Sequence, residues 1–76
     1  MDRFIKVTNL SDRSIFIKVK NISIIEQNME MNEITGKLIF YTTIRVDFPN
    51  NETQNYYVKE TCEDILKAIE DATKAV

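Results

Sequence analysis

The stretch YYVKETCEDILKAI, residues 56–69, changes from the period of a β-strand to the period of an α-helix with no linker between them. Tyr56 and Val58 fall on one side of an extended chain and Tyr57 falls on the other. Beyond them the apolar residues recur at the spacing of one stripe on an amphipathic helix. That stripe consists of Ile65, Ile69, Ala72 and Val76. The stretch therefore predicts a last strand followed directly by a helix that needs a sheet to bury its stripe.

The joint between the strand and the helix carries the signals of a helix start. Thr61 is a favourable N-cap, and Asp64 completes a weaker form of the capping box with it. Cys62, the only cysteine, stands where the helix dipole favours a reactive thiolate. Acidic neighbours oppose that thiolate, and the chain has no histidine to act as its base. We therefore predict an inert Cys62 at the start of a helix that runs to about Ala75.

Four earlier segments have the two-residue period of strands, and turn residues separate them. They are RFIKVTNL (3–10), IFIKVK (15–20), a segment from about Ser23 to Glu30, and KLIFYTTIRVD (37–47), with TQNYYVK (53–59) as the fifth strand. All connections are short enough for antiparallel neighbours. The sequence thus predicts one α+β domain over residues 1–76. Its expected form is a five-stranded antiparallel meander, as a curved sheet or small open barrel, with one C-terminal helix.

The fourth strand has apolar side chains on both faces. One face carries Leu38, Phe40, Thr42, Ile44 and Val46, and the other carries Ile39, Tyr41, Thr43 and Arg45. Either the strand is central with both faces covered, or the second face forms an outer patch that meets another subunit. For the second case we predict a protein-contact face made of Ile39, Tyr41 and Tyr57. Met29 and Met31, beside the glycine turn, are interpreted as padding for the end of a hairpin.

Composition limits the functions that this chain can perform. The core of a 76-residue chain rarely contributes more than about 3–5 kcal/mol to the free energy of unfolding without disulfides or metal. Self-association is therefore a plausible further source of stability. The absence of histidine removes the commonest zinc ligand and the usual general base. The i,i+4 pairs of acidic and basic residues along the helix are typical of a solvated face. We predict no enzymatic activity, no cofactor, no metal and no small-molecule substrate.

The location and partners follow from similar arguments. The start MDRFIKVTN lacks the basic and apolar regions of a signal peptide, and no apolar run is long enough to span a bilayer. We therefore expect a cytoplasmic protein with no membrane association. The leading hypothesis is a small non-enzymatic protein-interaction domain that forms a homo-oligomer or binds a protein partner.

The first hairpin supports a competing hypothesis. Basic and aromatic residues alternate there, in a pattern that single-stranded nucleic-acid platforms use. The residues concerned are Arg3, Lys6, Phe16, Lys18 and Lys20. Lysines on an edge hairpin also discourage aggregation, and the net charge of −2 argues against broad nucleic-acid binding. The alternative function is a nucleic-acid-binding or transcription-regulatory module.

The order of these segments resembles small bacterial and phage proteins around the flagellar FlbD-like family. In that family the closing part has the pattern V-K-E-S-x-E-E-I-x-x-x-I, which residues 58–69 match with threonine at the cap and aspartate for the second glutamate. Asn21, Ile22, Ile25 and Glu26 match the middle of the pattern. FPNNE replaces the usual Asn-Gly turn, and the central hairpin is longer. The resemblance implies a fold. The Ile-rich bend and the strand-to-helix ending are also similar, in architecture alone, to LytTR-type DNA-binding domains.

Overall fold

The five predicted strands and the predicted helix are all present in the computed structural model, which describes residues 2–74. The strands are β1 (Phe4–Thr8), β2 (Ser14–Lys18), β3 (Ile22–Met31), β4 (Leu38–Asp47) and β5 (Thr53–Val58), and the helix is α1 (Cys62–Lys74). The α+β class, the antiparallel pairing and the C-terminal helix are confirmed. The predicted helix end at Ala75 and the last stripe residue, Val76, lie outside the described residues.

The prediction of a single meander or small barrel is wrong, because the strands form two sheets. β1 and β2 make a two-stranded sheet, the first hairpin, and β3, β4 and β5 make a three-stranded sheet in that order. The chain leaves β2 through one 3₁₀ turn, Val19–Asn21, so that β3 starts a new sheet instead of pairing with β2. A bridge between Asn9 and Val58 joins the sheets at one end, where the Lys59 N–H also donates to the Thr8 carbonyl oxygen at 2.8 Å.

One hydrophobic core lies between the two sheets and the helix. Its buried members are Ile5, Val7 and Ile17 from the first hairpin, Ile44, Val46 and Val58 from the three-stranded sheet, and Ile65 from α1. The helix contacts β1 and β3, and Ile69 and Ala72 pack against the core while staying partly exposed. Both sheets turn one face toward this core, so the outer face of each sheet is free of it. Within the described residues no further layer covers either outer face.

The predicted helix start is confirmed by reciprocal hydrogen bonds. The Asp64 N–H donates to Thr61 Oγ1 at 3.1 Å, and the Thr61 N–H donates to Asp64 Oδ2 at 3.3 Å. Such a cap satisfies two backbone donors that a helix otherwise leaves free. Cys62, directly after the cap, is a half-buried free thiol. Thr61 therefore determines where the helix begins.

Glu60 links three elements just before the helix, which the sequence does not reveal. The Thr8 N–H donates to both of its carboxylate oxygens, at 2.8 and 2.9 Å. The backbone carbonyl oxygen of Glu60 accepts a 2.6 Å hydrogen bond from the hydroxyl of Thr42, which is fully buried. A buried hydroxyl costs stability unless it is paired, so this bond allows a threonine in the core. Glu60 thus holds the end of β1 and the middle of β4 to the start of α1.

The strands β3 and β4 extend beyond the rest of the molecule. β5 pairs with β4 only as far as Thr42, whereas β3 continues to pair with β4 up to Met31 opposite Leu38. Residues 28–41 therefore form a two-stranded arm, and the molecule measures 46 × 28 × 19 Å. The turn at its tip contains Gly36 at φ 71°, a conformation that glycine adopts without steric cost. The predicted glycine turn is confirmed.

Candidate interaction sites

The inner face of the arm is apolar and uncovered. Met29 lies opposite Phe40, and Met31 lies opposite Leu38. These four side chains share the face of β4 that supplies the core, but they lie beyond it and are between 48% and 62% exposed. Ile34, at the tip, is 95% exposed. The arm thus presents an apolar stripe that continues the core into open space.

The backbone of the arm is also incompletely paired. Its two strands bond only to each other, so each has one edge without a neighbouring strand within residues 2–74. An isolated two-stranded hairpin is marginally stable in water, and open strand edges are templates for pairing with another chain. The arm is therefore the part of this molecule that gains most from a partner.

The predicted contact residues Ile39, Tyr41 and Tyr57 lie together on the outer face of the three-stranded sheet. The rings of Tyr41 and Tyr57 meet edge to face with centroids 5.9 Å apart. Ile39 and Tyr57 are nearly half exposed, and Tyr41 is half-buried. Leu10 and Glu30 join the two tyrosines around an open hollow of about 310 Å³. β4 is central in its sheet, yet only one of its faces is covered.

This outer sheet face carries an excess of negative charge. Glu26 and Glu30 on β3, and Arg45 and Asp47 on β4, alternate with residues of the buried face. Arg45 Nε lies 3.3 Å from Asp47 Oδ1, so these two charges cancel. Glu26 and Glu30 form no ion pair with any lysine or arginine that the structure describes. The face therefore keeps two uncompensated carboxylates beside its exposed apolar groups.

The first hairpin has an outer face of opposite charge. Lys6 lies opposite Phe16 and Phe4 lies opposite Lys18, so the four side chains share one face, with Phe16 65% exposed. Three of the five residues predicted as a nucleic-acid site, Lys6, Phe16 and Lys18, are thereby brought together. Arg3 does not share the face of these three side chains, and it lines a small hollow with Thr73 of α1.

Lys20, the remaining predicted residue, lies in the 3₁₀ turn beside this face. Its ammonium is 3.6 Å from Asp2 Oδ1, and the ammonium of Lys18 is 3.1 Å from Asp2 Oδ2. The hydrogen bond from Lys18, reinforced by the charges of both lysines, lowers the pKa of the Asp2 carboxyl below its ordinary value. Asp2 thus compensates one of the lysine charges.

An open pocket of about 420 Å³ lies between the first hairpin and the turn that joins β4 to β5. Aromatic rings and ammonium groups dominate its lining, which includes Phe4, Phe16, Phe48, Tyr56, Lys18 and Lys20. Sequence reasoning identified the hairpin side of this pocket and missed the contribution of Phe48. Nothing in the sequence indicates that the proline turn after β4 lines the same pocket as the basic hairpin.

A grouping typical of metal binding is absent from the described residues. Within residues 2–74 no three His, Cys, Asp or Glu side chains stand close enough together to hold a metal ion. The one described helix is too short and too polar to cross a membrane.

Comparison with known proteins gives no relative for this chain, because no protein-family model, curated protein or solved structure matches it. The resemblance to the FlbD-like family consequently stays a prediction. Its matching residues at the strand-to-helix joint, Thr61 and Asp64, have structural roles here.

Proposed function

We propose that this chain is a non-enzymatic protein-interaction domain that self-associates through its arm. The observation that carries the proposal is the apolar inner face of the arm, formed by Met29, Met31, Leu38 and Phe40. Covering apolar surface yields about 25 cal/mol per Å², and half-exposed side chains of this size leave much of their surface to be covered. A partner that packs on the arm would also support a hairpin that is marginal by itself.

A second copy of the chain is a suitable partner for this face. The inner face of the arm carries no charged side chain, since its polar neighbours at the base are Gln27 and Thr42. Two such faces can meet around a two-fold axis without like charges opposing each other. The charged residues Glu26 and Glu30 lie on the opposite face and stay in solvent. The proposal is therefore a closed dimer with the arms packed inner face to inner face.

The molecular mass in solution, followed by sedimentation over a dilution series, tests this proposal. We expect a mass well above the 8.9 kDa of one chain at high micromolar concentration, decreasing toward 8.9 kDa on dilution. A partly apolar interface of modest size predicts such a reversible equilibrium. A mass of 8.9 kDa at every concentration would contradict self-association.

A nucleic-acid-binding or transcription-regulatory module is the second candidate. It is favoured by the common face of Lys6, Phe16 and Lys18 beside an open aromatic pocket. Rings of this kind stack on bases, and lysines of this kind contact phosphates. It predicts that a fluorescent single-stranded oligonucleotide binds at low salt and that its affinity falls steeply as salt rises.

The matched variants for this test exchange lysine for glutamate at two places. Lys6→Glu together with Lys20→Glu removes charge from the basic face, whereas Lys37→Glu changes an exposed lysine at the far end of the arm. Nucleic-acid binding through the hairpin predicts at least a tenfold loss for the first variant and little change for the second. Equal effects of both, or no binding by the native chain at low salt, would rule this candidate out.

A further inference from the structure

We propose that the outer face of the first hairpin binds the outer face of the three-stranded sheet in a second copy of this chain. The proposal rests on the self-association proposed above and adds a second interface, distinct from the arm, to it. Both faces are open in the described residues, and both combine exposed apolar groups with charge. Each face can therefore find its complement on a second copy of the chain.

The two faces have equal and opposite net charge. Around the hairpin face, Lys6, Lys18 and Lys20 stand against the single carboxylate of Asp2, which leaves +2. On the outer sheet face, Glu26, Glu30 and Asp47 stand against the single guanidinium of Arg45, which leaves −2. Complementary potentials of this kind guide two surfaces together and select the partner. Two hairpin faces, or two sheet faces, would instead repel each other.

Their shapes and apolar groups also correspond. The hairpin face carries two phenyl rings, Phe4 and Phe16, which line the pocket of about 420 Å³ and are still more than half exposed. The sheet face offers the hollow of about 310 Å³ whose wall is formed by Leu10, Tyr41 and Tyr57. Glu30, at the edge of that hollow, is placed to receive a lysine that flanks an inserted ring. Aromatic side chains in such pockets dominate binding energies at protein interfaces.

The positions of the two faces determine the kind of assembly. They belong to different sheets, and each is the face that its sheet does not turn toward the common core. Contact between unlike faces is heterologous, so each copy can bind one neighbour on either side. The second interface therefore extends the assembly head to tail, with sheets packed about 10 Å apart as in a sandwich. Assemblies larger than a dimer should form at low ionic strength and disperse as salt rises.

A charge-reversal mixing experiment tests this proposal. The acidic variant carries Lys6→Glu and Lys20→Glu, and the basic variant carries Glu26→Lys and Glu30→Lys, all at exposed positions. Each variant alone has two outer faces of like charge and should not associate through them. An equimolar mixture should associate at least tenfold more tightly than either variant alone, as measured by sedimentation at low salt. Circular dichroism of each variant verifies the fold.

The same experiment is repeated in chains that also carry Met29→Ser and Phe40→Ser, so that the arm cannot supply the association. Association of the mixture in this background supports the face-to-face contact whether or not the arms dimerise. A mixture that associates no better than its separate components would overturn the proposal. Oligonucleotide binding by the native chain and by the acidic variant is measured separately. If the mixture does not associate and only the native chain binds a single-stranded oligonucleotide, the hairpin face serves nucleic acid and the proposal is equally overturned.

Discussion

Replacing Met29 and Phe40 together by serine is expected to leave the fold intact and to weaken self-association at least tenfold. The two side chains lie opposite each other in the middle of the arm, outside the core, and are about 60% exposed. Their loss removes apolar contacts from both copies of a two-fold dimer, so the change counts twice. A factor of ten corresponds to about 1.4 kcal/mol, less than the value of burying one such side chain. Sedimentation over a dilution series gives the change in dissociation constant.

Leu66→Ser is the matched control for the arm variant. Leu66 is 58% exposed on α1 and is as apolar as the residues of the arm. If exposed apolar surface in general caused the association, this control would weaken it as much as a substitution in the arm. The arm interface predicts that Leu66→Ser retains the dissociation constant of the native chain within a few-fold. An arm variant that associates as tightly as the native chain would contradict the proposed dimer.

Replacing Ile65 by aspartate is expected to unfold the domain. Ile65 is 1% exposed and is the only fully buried residue in the described helix. Aspartate at that position either buries an unpaired carboxylate or pulls the helix off the sheets, at a cost of several kcal/mol. A domain of this size has roughly 3–5 kcal/mol in total. Far-ultraviolet circular dichroism and urea denaturation should therefore show loss of the cooperative transition.

Cys62→Ser provides the contrast within the same helix. The Cys62 thiol is half-buried, forms no disulfide and stands in the first turn, where a serine fits equally well. We expect a change in the free energy of unfolding of less than about 0.5 kcal/mol, as is usual away from buried features. The reverse ranking of the two substitutions would mean that α1 is held to the sheets by other contacts than Ile65.

The strand-to-helix joint could be predicted from the sequence because its signals are local. The N-cap at Thr61, its partner Asp64 and the stripe position Ile65 depend on residues within one or two helical turns. The turn at Gly36 is local in the same sense. Every strand was found for this reason, since alternation of side chains within a few residues reveals which face is buried.

The division into two sheets could not be predicted, because alternation does not specify a strand's neighbour. β2 and β3 are consecutive and both half-buried, yet a single 3₁₀ turn sends them to different sheets. The bonds of Glu60 to Thr8 and Thr42 likewise depend on residues far apart in the sequence. Such contacts follow from the folded arrangement and leave no periodic trace.

The candidate surfaces were predicted in part. Ile39, Tyr41 and Tyr57 do share one open face, since strand period alone places the first two together. The inner face of the arm was missed, because Leu38 and Phe40 have the same phase in the strand as the buried Ile44. They are exposed because β5 ends its pairing at Thr42, which no pattern within β4 can indicate.

Hydrogen exchange of the arm at low and high protein concentration tests the central claim most directly. Amides of a marginal, exposed hairpin exchange rapidly, whereas amides covered by a second copy are protected. At a salt concentration that disperses the contact between outer faces, we predict that exchange in peptides covering residues 28–41 slows strongly as protein concentration rises. Exchange in the strand segments that pack on the core, residues 42–47 and 53–58, should change little. Exchange in the arm that is fast and independent of concentration would contradict self-association through the arm.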